Sequence, residues 1–287
     1  MTPSKATTSG FGAILLWSML ALFTEGSRPV PPLLLNALCF TIGGAIGLAW
    51  LFTKGDAKRL KSVPLRVYIF GTAGLFGYHF LYFSALRVAP PAQAGLIAYL
   101  WPLLIVLFSG LLPGESLRAG HVLGALIGLS GAALILFSDG FGAVDQAALP
   151  GYGLALLCAL TWSGYSVVSR RLGATPTETV AVFCVATAVL SAAAHIALEP
   201  TVWPETGIGW ASILALGLGP VGLAFYVWDI GVKHGNIQLL GVASYAAPLL
   251  STLVLVMAGV AEPTLTLGLA AALITGGAIL AARASRL

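Results

Sequence analysis

The chain has 287 residues, 58% hydrophobic and only 8% charged, with a mean hydropathy of +0.96. A soluble domain carries roughly 25% charged residues, so this composition excludes a water-soluble globular protein. The formal net charge of +4 comes from basic residues scattered between apolar runs rather than gathered on one face, which argues against a nucleic-acid partner and makes the lipid bilayer the expected surroundings.

Each bilayer crossing takes about 20 mostly apolar residues, and ten such segments are predicted, near 10–23, 33–53, 67–88, 92–112, 119–138, 151–169, 179–198, 209–232, 238–258 and 265–282. The expected fold class is an all-α polytopic membrane protein. The first segment follows Lys5 and has the look of a secretory signal, but it is expected to be retained, because its Leu-x-Trp-Ser pattern at Leu15 to Ser18 returns at Leu160 to Ser163. Small faces on the second, third and fifth segments, such as Gly43-x-x-x-Gly47, the Gly71, Gly74, Gly77 series and Gly124-x-x-x-Gly128, predict close helix packing. The three cysteines, Cys39, Cys158 and Cys184, lie within segments and show no disulfide or metal-ligand spacing, so packing is their expected role and neither metal nor cofactor is expected.

The second half of the chain repeats the first at a displacement of about 146 residues. Tyr99, Pro102, Leu103, Leu104 and Leu107 return as Tyr245, Pro248, Leu249, Leu250 and Leu253. This predicts two units, 1–138 and 139–287, of five crossings each. An odd number of crossings turns the second copy upside down, the inverted-repeat construction of secondary transporters. With the amino terminus in the cytoplasm, twelve of the fourteen Lys and Arg residues fall inside, among them Lys5, Lys54, Lys58, Arg66, Arg118, Arg170, Arg171, Lys233 and Arg286, while Arg28 and Arg87 fall outside. Both termini are therefore expected to be cytoplasmic.

Sorting residues by depth, at 1.5 Å per residue, puts Trp17, Tyr78, His79, Trp101, Pro102, Trp162 and Pro248 near the middle of their segments. Tyr82, Tyr99, Ser244 and Tyr245 lie within a turn or two of that level. Aromatic anchors belong at the interfaces, the expected role of Trp50, Trp203 and Trp210, so a midplane set is either packing or a substrate site. An ionisable group such as His79 at that depth is a functional candidate by default, the structural alternative being a buried neutral imidazole bonded to a tyrosine hydroxyl. Asp229, four residues before Lys233 and near the cytoplasmic boundary, is expected to form a snorkelling ion pair. Pro102 and Pro248 cannot donate a backbone hydrogen bond and crowd the carbonyl four residues earlier, which predicts free carbonyls at Ala98 and Ser244 and paired hinges for gating.

One further motif, Gly128-Leu129-Ser130-Gly131, matches the Gly-x-Ser-Gly pattern of intramembrane serine proteases, but its repeat counterpart Ile274-Thr275-Gly276-Gly277 has no serine and His121 lies on the same segment. An intramembrane hydrolase using Ser130 is thus the alternative from a different class, against packing. No Gly-x-x-x-x-Gly-Lys motif for a nucleotide is present.

The runs Tyr82-Phe83-Ser84-Ala85-Leu86-Arg87, Ile97-Ala98-Tyr99-Leu100-Trp101-Pro102-Leu103 and Gly114-Glu115, with a weaker second copy in Ser244-Tyr245-Ala246-Ala247-Pro248-Leu249, resemble the EamA repeat of the drug/metabolite transporter superfamily. Within it, Gly77-Tyr78-His79-Phe80 and Tyr99-Leu100-Trp101-Pro102 are most similar to bacterial exporters of aromatic amino acids. The resemblance implies ten spans in an inverted five-plus-five arrangement, a bacterial inner-membrane location, export by alternating access about a midplane cavity, and amino acids as small-molecule substrates. Trp17, Tyr78, His79, Tyr82, Tyr99, Trp101, Trp162, Ser244 and Tyr245 are the expected substrate-binding residues. The partners of Tyr78, His79 and Trp101 are Ala224, Phe225 and Ala247, so the first half is expected to supply most of the specificity. Within the transport class the alternative is a carrier for another small metabolite or drug.

Overall fold

The computed structural model describes residues 1–54, 57–137, 146–257, 259 and 262–285, and among these the secondary structure is helical with no strand. Ten spans follow one another. The first three are Pro3–Gly26, Pro32–Lys54 and Leu65–Val88, the fourth is split into Pro91–Ala98 and Trp101–Ser109, and the fifth is Ala119–Leu136. The second five begin with Leu149–Arg171 and Thr179–Leu198, continue with an eighth span made of Gly207–Leu218 and Ala224–His234, a ninth split into Ile237–Ala243 and Ala246–Met257, and end with Leu265–Ala284. Among the described residues nine are long and apolar enough to cross a membrane, and the tenth, around Gln93–Ser109, is a shorter apolar helix. The predicted unit boundary at 138/139 lies outside the described residues, as do the side chains of Lys54 and Lys58 and the whole of Arg286.

Helix starts follow local chemistry. Thr206, Asn236 and Thr264 each accept the backbone N–H three residues on, at 3.2, 2.8 and 3.2 Å, which satisfies donors that the first turn leaves open. Pro3, Pro91 and Pro150 sit in first turns, where a missing N–H costs little.

Small residues set the closest contacts. The fifth and tenth spans pack against each other, and a methyl group added to Gly124 would lie 2.6 Å from the Gly277 carbonyl oxygen. A side chain there would force the helices apart. The second span approaches the eighth in the same way, a methyl on Gly43 falling 2.9 Å from the Gly222 Cα. Gly222 belongs to a π-turn over Gly219–Leu223, which, like the break at Ser18–Met19 in the first span, the sequence reading does not anticipate.

The fourth and ninth spans break just ahead of their prolines, at Tyr99–Leu100 and Ser244–Tyr245. The Ser244 carbonyl is not left free as expected, because it accepts the Ala247 N–H at 3.1 Å; the chain tightens by one residue at the break and re-satisfies it. Both halves of span four pack on the sixth and fifth spans and both halves of span nine on the tenth, fifth and first, Pro91–Ala98 also touches the third, and Trp101–Ser109 packs in addition on Ile237–Ala243. Spans four and nine thus meet on one side of the molecule, through Trp101–Ser109 and Ile237–Ala243.

That meeting side carries both termini, since Pro3, Ser4, Ala284 and Ser285 border a single cleft. Here Asp229 and Lys233 pair at 2.8 Å, but the snorkelling expected of them does not occur. Both are buried, with Thr177 donating to the carboxylate at 2.7 Å and the ammonium donating to the Thr175 carbonyl at 3.1 Å, so protein groups rather than water satisfy the charges. On the opposite face Glu199 accepts the Leu33 and Leu34 amides at 3.0 and 3.3 Å, at the start of the second span. It also pairs with Arg87 and His195.

Candidate functional site

Four indole rings meet at the centre of the molecule. Trp17 ends the first half-helix of span one, Trp101 opens the second half-helix of span four, Trp162 lies inside span six, and Trp228 lies in span eight. Trp17 is 5.9 Å from Trp162, 6.1 Å from Trp101 and 5.1 Å from Trp228, measured between ring centroids. Trp101 stands edge-on to Trp162 at 6.4 Å and to Trp228 at 5.9 Å, while Trp162 and Trp228 lie nearly parallel at 6.3 Å. Edge-to-face and offset-parallel arrangements at these separations are the favourable ones for quadrupolar rings. Trp101, Trp162 and Trp228 are 5%, 2% and 0% exposed, so the group is packed and Trp17 is its more accessible member.

Two irregular points of the backbone, the break in span one and the π-turn in span eight, meet here. The Trp17 indole N–H donates to the Pro220 carbonyl at 3.1 Å, and Pro220 lies in the π-turn. Wide turns of this kind leave carbonyls displaced from the regular ladder. A tryptophan of the first repeat occupies one contributed by the second.

The third span supplies a rim. Tyr78 contacts Trp162 at 5.2 Å and stacks on Tyr82 at 6.2 Å, and His79 contacts Tyr78 at 5.1 Å, Phe40 at 5.1 Å and Phe225 at 5.9 Å. Tyr78, His79 and Tyr82 are half-buried. His79 Nδ1 lies 2.8 Å from the Leu75 carbonyl, which can only accept, so Nδ1 carries the proton and a neutral ring leaves Nε2 as an acceptor. The partner is its own helix, not the tyrosine hydroxyl considered above.

The structure therefore brings Trp17, Trp101, Trp162, Tyr78, His79 and Tyr82 together. Tyr99, half-buried at the break of span four, packs with a second apolar cluster. Tyr245 is buried in that same cluster, its hydroxyl accepting the Leu103 N–H at 3.1 Å. The Ser244 hydroxyl donates to the Leu240 carbonyl at 2.7 Å. Pro102 and Pro248 stand in the first turns that follow the two breaks.

Trp228 and Phe225 are missing from the sequence-based set, although Phe225 contacts Trp17, Trp162 and His79 at 6.4, 5.7 and 5.9 Å. At the repeat displacement they are the counterparts of Tyr82 and His79, which is the signal that finds them. The second repeat thus supplies Trp162, Phe225 and Trp228 to the group, beside Trp17, Tyr78, His79, Tyr82 and Trp101 from the first.

Chemically the arrangement offers broad apolar faces edged by hydroxyls and one imidazole. Among the described residues no group of three His, Cys, Asp or Glu side chains is placed to hold a metal ion. Ser130 donates to the Leu126 carbonyl at 3.0 Å and is exposed, about 13 Å along the helix from His121. His121 is itself engaged by the Arg118 amide at 3.2 Å and the Ser285 hydroxyl at 3.0 Å, so serine and histidine do not form a nucleophile–base pair.

The EamA-like transporter family matches residues 5–137 and 149–283. A protein named "Aromatic amino acid exporter YddG" from Ancylobacter novellus is 57% identical over 288 residues, covering 100% of both chains. Another of the same name, from Salmonella typhimurium, is 30% identical over 263 residues and 88% of each chain. A solved crystal structure, 57% identical, superposes with a TM-score of 0.95 over 99% of both chains.

Proposed function

The chain belongs to the EamA-like transporter family, and on that footing we propose that it is a bacterial inner-membrane carrier that exports amino acids, aromatic ones included, by alternating access about the central indole group. It is a multi-span transporter of two five-span repeats and not an enzyme. The proposed units are 1–138 and 139–287, with both termini in the cytoplasm. The twelve-to-two distribution of basic residues supports that orientation.

The observation that carries the substrate class is the ring cluster. Stacking faces suit the side chain of Phe, Tyr or Trp and can face an ammonium group, while Tyr78, Tyr82, Tyr99 and the Nε2 of His79 offer polar atoms along one edge. Trp17, Trp101 and Trp162 form the floor of the proposed site. Ser244 and Tyr245, with their hydroxyls already engaged, shape the bend of span nine and through it the walls. Pro102 and Pro248 are the proposed hinges, because each follows a break that already interrupts its helix.

Sealed liposomes containing the purified protein and loaded with an amino-acid panel test the proposal. Efflux of Trp, Phe and Tyr above protein-free liposomes is the expected result. Efflux confined to another class of metabolite would transfer the cluster to that class.

A further inference from the structure

Two clefts open on the face that carries the termini, of about 610 and 390 Å³. Gly114, Glu115 and Arg170 line both, so the Glu115–Arg170 ion pair is the wall between them. It also joins the two repeats. Glu115 follows span four of the first, and Arg170 ends span six of the second.

The two partners are not held alike. Arg170 Nη1 donates to the carbonyls of Val232, Lys233 and Gly235 at 3.3, 3.0 and 2.7 Å, the orphan acceptors at the end of span eight, so it is fixed to its own repeat. Glu115 reaches across from the other repeat, with one oxygen on Arg170 and the second accepting Gln238 Nε2 at 3.0 Å. Both side chains keep some access to the clefts, at 15% and 23% exposure. Parting them alone would leave a carboxylate and a guanidinium uncompensated, which is the costly way to break a partly buried pair.

A free amino acid avoids that cost, because it carries one group for each partner. We infer that Glu115 and Arg170 form a latch on the terminal face that an amino acid opens by exchange, its carboxylate replacing Glu115 on Arg170 and its ammonium pairing with Glu115. The guanidinium fork suits a carboxylate in two-point contact, and the nearby Arg118 favours approach of an anion end. The latch recognises the zwitterion and leaves the side chain to the indole group. It rests on the proposed export of amino acids, and it gives the loading side the charge pair that the central rings lack.

The test uses the full-length protein with Leu112→Cys, a position buried beside the smaller cleft, and follows maleimide labelling against a parent without that substitution. L-Tryptophan should speed labelling at least threefold. Tryptamine, without the carboxylate, and indole-3-propionate, without the ammonium, should not. Glu115→Gln should label at the faster rate without ligand and lose the response, and Arg170→Gln should do likewise if it folds. Equal responses to all three ligands, or a Glu115→Gln protein that behaves as the parent, would overturn the latch. Parent liposomes run in parallel separate the two ideas: tryptophan flux with no such discrimination rejects the latch alone. Absent flux rejects amino-acid export and zwitterion exchange together, while the ligand-free Glu115→Gln rate still decides whether the pair seals the face.

Discussion

The indole N–H of Trp17 ends on the carbonyl of Pro220, 3.1 Å away, so the break in span one and the π-turn in span eight are held by one hydrogen bond across the repeats. Trp17→Phe keeps an aromatic ring but removes the donor and leaves the carbonyl without that partner. A lost bond of this kind costs about 0.5–1.5 kcal/mol. Lower thermal stability in detergent together with slower liposome flux is expected; unchanged values for both would show that the carbonyl finds another donor.

Removing a ring from the centre should matter more than removing a hydroxyl from the periphery. Trp101→Ala deletes three edge contacts, to Trp17, Trp162 and Trp228, each worth about 0.5–1.5 kcal/mol beyond area burial, and should reduce aromatic amino-acid flux at least several-fold. His79→Phe retains the ring contacts and loses the Nε2 acceptor, so apparent affinity should fall while expression holds. Ser130→Ala, on an exposed face, should leave flux intact. Initial rates at varied substrate concentration, normalised to protein in the liposomes, provide the comparison.

Pro102 and Pro248 follow breaks that interrupt their helices at Tyr99–Leu100 and Ser244–Tyr245. Alanine at both positions restores two N–H donors and lets each helix extend through its break, which stiffens the spans. Flux should slow in the double variant while equilibrium binding of substrate persists. Parent-like flux would reduce the prolines to helix starters.

The orientation can be read chemically. Arg66→Cys and Arg28→Cys lie at exposed positions at opposite ends of neighbouring connections, and positive residues favour the cytoplasmic side. Membrane-impermeant maleimide applied to intact cells should label position 28 and spare position 66. The reverse pattern would invert the whole protein.

The ten spans and the meeting of Trp17, Trp101 and Trp162 were legible because hydropathy fixes which segments cross and residue count fixes depth. Azimuth is another matter. Tyr99 and Tyr245 occupy equivalent places in the repeat, yet one is half-buried and the other buried with its hydroxyl on Leu103, because depth says nothing about which neighbour a side chain faces once the two halves adopt different conformations. The π-turn escaped for a related reason. Pro220 marks a disturbance of the ladder, but whether a helix breaks, kinks or widens there depends on Gly43 lying against Gly222, a contact between residues far apart in the chain. Asp229 and Lys233 were paired correctly by spacing, and their burial depends on Thr175 and Thr177 from another connection.

The bond between Tyr245 and Leu103 also has an image. If the carrier reaches its other state by letting the two repeats trade shapes, every contact that distinguishes them must be traded as well. Tyr99 then sinks to where Tyr245 now stands, and its hydroxyl comes to the amide of Leu249, the counterpart of Leu103, as Tyr245 lets go. One tyrosine would be docked in each state and the other released, so that the pair behaves as a two-position toggle whose setting is written in which phenol is hidden from solvent.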